Sequence, residues 1–199
     1  MADTGTRHRI FIAIELDRGL RGEIEDLEAR LTQAGTGLRW IRGENLHFTV
    51  RFLGEITPAQ VAQVKLATRE VAAAMPPFRL ALGGIGAFPS LQRPQVIWVG
   101  VQEGSEELAA LSPRLNAVLA RHRFPPEDRP FVAHLTLARV RDRRVWGDLV
   151  RAVSGFREVR VGAQEVRSLA IMESHLQPRG ARYTRVEEVP LGQTLKSPE

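Results

Sequence analysis

The chain has 199 residues, 43% of them hydrophobic, enough to fill a core and too many for a disordered polymer. It contains no cysteine, which removes disulfide scaffolds, thiolate zinc sites and cysteine nucleophiles together. The formal charge is +5, and among the 28 basic residues only Lys65 and Lys196 are lysine; arginine's planar fork suits phosphate, although a genome-wide bias toward arginine explains the excess equally well.

Taken in chain order, Arg9 to Leu16 reads as a buried strand and Asp17 as the N-cap of a helix. In that helix Leu20, Ile24, Leu27 and Leu31 recur at helical spacing up to Gly35. Arg39-Trp40-Ile41 forms a short strand or extended arm leading to a strand over His47 to Leu53. Alternation there puts His47, Thr49 and Arg51 on one face and Phe48, Val50 and Phe52 on the other. Thr57-Pro58-Ala59-Gln60 is a capping box with proline at the first helical position, opening a helix that stops at Pro76-Pro77.

Phe78 to Leu82 and Gln95 to Val101 read as strands joined by a glycine-rich turn from Gly83 to Pro89. Leu108, Leu111, Leu115, Val118 and Leu119 mark a third helix, in which Pro113 calls for a kink or a restart at Ser112. A loop from Arg123 to Pro130 precedes the strand that carries His134. A short helix near Val145 to Val153 and strands over Arg157 to Val161, Val166 to Glu173 and Arg182 to Val189 follow. Several connections are too short for a parallel crossover, so the expected class is α+β with mainly antiparallel sheets. The expected organisation is one domain over residues 1–192 and a loose tail over 193–199. No leader-like segment and no membrane-length apolar run is found, so the cytoplasm is the default compartment.

The most informative feature is a duplication: His47-Phe48-Thr49-Val50 recurs as His134-Leu135-Thr136-Leu137, the second histidine standing 134 − 47 = 87 positions after the first. In a strand each histidine shares a face with its threonine. Two such units converging on a cleft supply a general acid, a general base and two hydroxyl donors for phosphoryl oxygens, the equipment for cleaving a phosphodiester without a metal. Imidazole, with an ordinary pKa of about 6.5, can serve in either protonation state near neutrality. One such three-letter pattern is weak and fits an ordinary half-buried strand; two copies, each on an apolar strand after a charged turn, are far more specific. His8, His122 and His175 lack the threonine partner and receive no chemistry. The glycines from Gly83 to Gly86 lack a Walker lysine, and no acidic cluster supports a metallohydrolase. Phe11, Trp40 or Tyr183 could stack a base, core packing being the ordinary role for each.

Beyond the two motifs, the chain carries Phe11-Ile12-Ala13-Ile14, the run Asn45 to Glu55, Gly86-Ala87-Phe88-Pro89 before Arg93 to Val101, and Glu173-Ser174 with Gly180 and Tyr183. In these segments and their order it resembles the two-histidine phosphoesterase superfamily, specifically the bacterial RNA 2′,3′-cyclic phosphodiesterases formerly called 2′-5′ RNA ligases. The resemblance implies a bilobal fold of two pseudo-symmetric antiparallel sheets flanked by helices, with a cofactor-free and metal-independent site in a central cleft. It implies His47 as proton donor to the leaving oxygen and His134 as the proton acceptor that activates water. The substrates implied are RNA ends or cyclic nucleotides, the product a 2′-phosphate, with reversible 2′-5′ ligation as the related reaction. The expected protein is a monomer without a membrane partner.

Thr49 and Thr136 are expected to hold the phosphoryl oxygens. Arg139 stands where the family often places a phosphate-contacting arginine. Strict alternation would put it opposite His134, so that role requires a bulge or the strand's end. The run Arg139 to Arg144 could follow an RNA backbone or be a solvated loop. The sequence departs from the family at Ala133, where proline often precedes the second histidine, and at Val50, where leucine is common. A noncatalytic nucleotide- or RNA-binding module of the same fold is the alternative function.

Overall fold

β1 (His8–Glu15) carries the apolar run at the start of the chain, and Asp17 then caps α1 (Arg18–Gln33) by accepting a 2.7 Å bond from the Leu20 amide at Oδ1. The computed structural model of the protein describes residues 6–33, 38–127, 131–140, 146–178 and 180–193. Gly35, the stretch 128–130, the stretch 141–145 and the tail 194–199 lie outside them. Of the arginine run expected along an RNA backbone, only Arg139 and Val140 are therefore described.

After α1 come β2 (Arg39–Trp40), a 3₁₀ turn at Gly43–Asn45, β3 (His47–Ile56) and α2 (Pro58–Ala73). The capping box forms as expected: Thr57 Oγ1 accepts from the Gln60 amide, and Gln60 Oε1 accepts from the Thr57 amide. Such a cap stabilises a helix by about 1 kcal/mol. β4 (Phe78–Phe88), β5 (Val96–Glu103), α3 (Ser105–Arg121), β6 (Leu135–Arg139), α4 (Trp146–Ser154), β7 (Arg160–Val166), β8 (Ser168–Gln177) and β9 (Gly180–Pro190) complete the order. α3 runs through Pro113 without restarting at Ser112.

The strands form two antiparallel sheets, a four-stranded one in the order β3-β1-β8-β9 and a five-stranded one in the order β2-β6-β5-β4-β7. α2 and α3 pack on the first sheet; α1 lies against β7 and α4 against β4 of the second. One apolar core runs through both, with Ile10, Ile12 and Ile14 from β1, Leu80 and Leu82 from β4, and Ile97 and Val99 from β5. No helix of the described residues is long and apolar enough to cross a membrane.

The segment from Gly83 to Phe88 is not a turn. β4 continues through it, paired with β5 as far as Phe88, while its pairing with β7 on the other side ends at Gly83. Small residues are there because neighbours occupy the space: a Cβ on Gly86 would overlap the Trp98 indole, and Gly84, at φ +70, lies against the Arg157 carbonyl. Glycine composition resembled a loop, whereas its physical cause is close approach within a sheet.

Alternation along β3 also breaks. Ile12 pairs with Arg51 and Ala13 with Thr49, so Val50 is an extra residue and the side chains beyond it exchange faces. Arg51 is consequently buried, 4% exposed, on the core side instead of beside His47. Its Nη1 bonds Glu127 Oε2 at 2.9 Å and its Nη2 bonds the Pro125 carbonyl.

Candidate active site

β6 repeats that irregularity at the same place in its motif. Ile97 pairs with Ala138 and Trp98 with Thr136, which makes Leu137 the extra residue, as Val50 is in β3. In each strand the fourth motif residue and its successor are both buried: Val50 with Arg51, Leu137 with Ala138. The residue five places after each histidine therefore returns to the face of the motif's threonine. In β3 this is Phe52, in β6 it is Arg139. The condition under which Arg139 can share a face with Thr136 is met by the bulge at Leu137.

The two strands are neighbours. Cα atoms of β3 and β6 come within 8 Å of each other, and the stretch before β3 is stitched to β6, with Arg39 opposite Arg139, Trp40 opposite Ala138, and the Ile41 amide donating to the Leu137 carbonyl at 2.8 Å. His47 begins β3 and His134 immediately precedes β6.

Both imidazoles are oriented by one device. His47 Nδ1 lies 2.8 Å from the carbonyl of Asn45, and His134 Nδ1 lies 2.7 Å from the carbonyl of Val132, each two residues earlier. A carbonyl only accepts, so Nδ1 carries the hydrogen in both rings and Nε2 remains for chemistry. Asn45 is itself fixed by a 3.1 Å bond from its Nδ2 to the Ala181 carbonyl on β9. His47 Nε2 meets Thr49 Oγ1 at 3.1 Å; among the described residues no corresponding bond joins His134 to Thr136.

The surroundings differ. The His47 ring packs on both Phe11 and Tyr183, at centroid separations of 4.9 and 5.1 Å, and those two rings touch each other at 5.1 Å, beside an apolar patch that includes Ala13, Ala170 and Met172. This burial lowers the His47 pKa below its ordinary 6.5 by disfavouring the charged ring, and the Asn45 carbonyl only partly opposes it. His134 meets one ring edge-on, Phe88 at 4.9 Å, which in turn packs on Trp98 at 5.4 Å. Phe11 and Tyr183 belong to the site's wall, a placement the alternation of β1 and β9 permits but does not single out. Phe88 and Trp98 had no local signal, because their place depends on β4 continuing through its glycines.

Beside Tyr183 opens a cavity of about 560 Å³, walled by Arg39, Arg42, Asn45, Arg139 and Tyr183 among others. Trp40 also lines it, while its indole Nε1 bonds Thr32 Oγ1 on α1 at 3.1 Å. Of the three histidines given no chemistry, His8 bonds Glu173 Oε1 at 2.8 Å through Nδ1, with His175 Nε2 3.9 Å from the other carboxylate oxygen. Among the described residues no group of three or more histidines and carboxylates is placed to hold a metal ion.

A family model described as LigT-like phosphoesterase matches the chain twice, over residues 14–98 and 99–183. Each match contains one histidine motif. Each contributes strands to both sheets, so the sequence repeat and the spatial lobes are interleaved. The chain is 38% identical to the RNA 2′,3′-cyclic phosphodiesterase of Aquifex aeolicus over 159 residues, covering 77% of this chain and 82% of that protein. It is 31% identical to the protein of the same name from Methanothermobacter thermautotrophicus, covering 90% and 96%. The fold superimposes on the crystal structure of E. coli LigT complexed with NADP+ with a TM-score of 0.74 and 27% identity, covering 94% of this chain and all of that one.

Proposed function

Since the chain belongs to the LigT-like phosphoesterase family, we propose that it hydrolyses 2′,3′-cyclic phosphate ends of RNA or nucleotides to 2′-phosphates, using His47 and His134 without a metal. The observation that carries this reading is the matched pair of histidines, each with Nδ1 tied to the carbonyl two residues earlier and Nε2 left for a proton transfer.

In the proposed step, water attacks phosphorus and gives a proton to His134 Nε2. The bond from phosphorus to the 3′ oxygen breaks, and that oxygen takes the proton from His47 Nε2. Charge gathers on the non-bridging oxygens, to which Thr49, Thr136 and Arg139 donate. A 5′-hydroxyl in place of water would form a 2′-5′ linkage through the same transfers.

The donor role asks His47 to be protonated, whereas burial favours the neutral ring. The substrate's own negative charge resolves the conflict: an anion within about 4–6 Å raises an imidazole's pKa, so the proton is taken up as the phosphate binds. Residues 1–192 act as one bilobal unit in this reading, a view supported by the interleaving of the two halves.

The test is product identity. Incubation with a nucleoside 2′,3′-cyclic phosphate is expected to give the 2′-phosphate, at a rate that chelator leaves unchanged. A 3′-phosphate product reverses the roles of the two faces, chelator-sensitive turnover removes the metal-free mechanism, and tight binding without turnover favours a noncatalytic binding module.

A further inference from the structure

The stretches that lead into the two histidines are each held by the opposite motif. Ahead of His47, the Ile41 amide donates to the carbonyl of Leu137, the bulged residue of the second motif. Ahead of His134, Arg51, which follows the bulged Val50 of the first motif, donates from Nη2 to the Pro125 carbonyl and from Nη1 to Glu127 Oε2 at 2.9 Å. The bulge makes this second clasp possible, since strict alternation would leave Arg51 on the face of Thr49.

The two stretches differ in what else secures them. The carbonyl that orients His47 belongs to Asn45, whose side chain is bonded to Ala181 on β9. The carbonyl that orients His134 belongs to Val132, whose side chain can make no hydrogen bond and is 52% exposed. Upstream of it, Phe124 is buried in the core just past α3, but beyond Phe124 packing does not close the gap to β3. A hollow of about 340 Å³ lies there, walled by Phe52 and Leu53 of β3 and by Pro125 and Pro126 facing them. Among the described residues, the side-chain bonds that hold the segment between Phe124 and Val132 are those of Arg51. An apolar side chain would fill the place of Arg51 without the cost of burying a charge, so the guanidinium is suited to fixing geometry more than to stabilising the fold. Its planar fork presents two donors in a rigid arrangement, which sets the direction of the segment as well as its distance.

We propose that Arg51 is a positioning residue for His134: by clasping Pro125 and Glu127 it sets the approach of the segment that ends in Val132, so that a residue in the strand of one histidine governs the placing of the other. The inference takes the role of His134 in proton transfer from the proposed activity. Arg51→Met is expected to lower kcat about a hundredfold, the scale of a misplaced catalytic group, with KM for a nucleoside 2′,3′-cyclic phosphate within about threefold of wild type. Arg51→Lys, a point charge able to serve one acceptor well, should retain part of kcat. Combining Arg51→Met with Glu127→Ala should restore the resistance to urea that Glu127→Ala alone loses without restoring kcat, and this double variant carries the measurements if Arg51→Met alone fails to fold. Near-native kcat in either variant, or a return of kcat together with stability, makes Arg51 merely structural and overturns the proposal.

A second readout needs no turnover. In NMR titrations Arg51→Met should change the ring signals of His134 and leave those of His47 as in the wild type, although His47 is the histidine that shares a strand with Arg51. An equal or larger change at His47, or none at His134, confines Arg51 to its own strand and overturns the proposal. A wild type that turns over no cyclic phosphate, with the His134 signals still responding to Arg51→Met, removes the proposed activity and leaves the clasp standing.

Discussion

His47 and His134 are held by the same bond and by different neighbours. Each donates Nδ1–H to the carbonyl two residues back, and each heads a motif whose fourth residue is bulged. Around this common frame the first lobe closes Phe11 and Tyr183 over the ring, while the second meets it with Phe88 alone among the aromatic contacts of the described residues. The positions after the bulge diverge further: Arg51 and Phe52 in the first lobe correspond to Ala138 and Arg139 in the second. The cation of the first lobe is turned into the core, and that of the second is exposed and lines the cavity beside Tyr183. A duplicated backbone device can therefore serve unequal chemical tasks, because the bulge fixes which positions face the cleft and leaves their identity free.

The largest expected effect tests what is common. His47→Ala and His134→Ala should each lower kcat by roughly 10²- to 10⁴-fold, the usual worth of one positioned proton transfer. Circular dichroism should be unchanged. A folded variant of either kind with near-native turnover removes the shared mechanism.

Stability comes next, and there the lobes should separate. Glu127→Ala leaves the guanidinium of Arg51 buried without its carboxylate and should cost about 3 kcal/mol in urea unfolding, whereas Ala138 gives the second lobe no such dependence. Adding Arg51→Met to Glu127→Ala should recover much of the loss, since an apolar side chain suits that pocket. A negligible loss in the single variant would mean that water reaches Arg51.

At the fifth position after each histidine, Arg139→Gln should reduce kcat/KM by roughly ten- to a hundredfold, and Phe52→Ala by less than about threefold. Comparable losses in the two variants would show that the divergence has no functional meaning. Thr49→Val and Thr136→Val keep the branched shape and delete the hydroxyl. Each is expected to lower kcat as well as kcat/KM by about tenfold if the hydroxyl bonds tighten as charge develops. A rise in KM alone confines them to binding, and unchanged kinetics in both removes them from the site.

The smallest effect is on protonation. Tyr183→Ala admits water to the His47 ring, so its pKa, now depressed by burial, should rise toward 6.5 in an NMR titration. Binding a phosphate-bearing nucleotide to the wild type should move it the same way. A value unmoved by the substitution would assign the depression to a cause other than the aromatic wall.

Local periodicity made most elements legible: the apolar run of β1, the spacing of Leu20, Ile24, Leu27 and Leu31 in α1, and the Thr57 capping box depend on residues within one or two turns of each other. The repeated His-x-Thr could be read for the same reason, since two side chains two places apart in a strand share a face whatever the fold. The site's wall was less legible. Phe88 sits behind glycines that resemble a turn until their pairing with β5 is seen, and strict alternation puts Arg51 on the wrong face because it cannot register an extra residue.

The sequence by itself determined the class of fold and picked out the repeated His-x-Thr motif, because strand period, helix period and capping chemistry are local. Only the tertiary structure decided the bulges at Val50 and Leu137, the burial of Arg51, the return of Arg139 to the face of Thr136 and the pairing of Arg39 opposite it. A bulge is defined by the register against a partner strand, and the partners of β3 and β6 lie 32 or more residues away in the chain, at β1 and β5. The depressed pKa of His47 has the same origin, since Phe11 and Tyr183 reach its ring from opposite ends of the chain and desolvation depends on what surrounds a group in space.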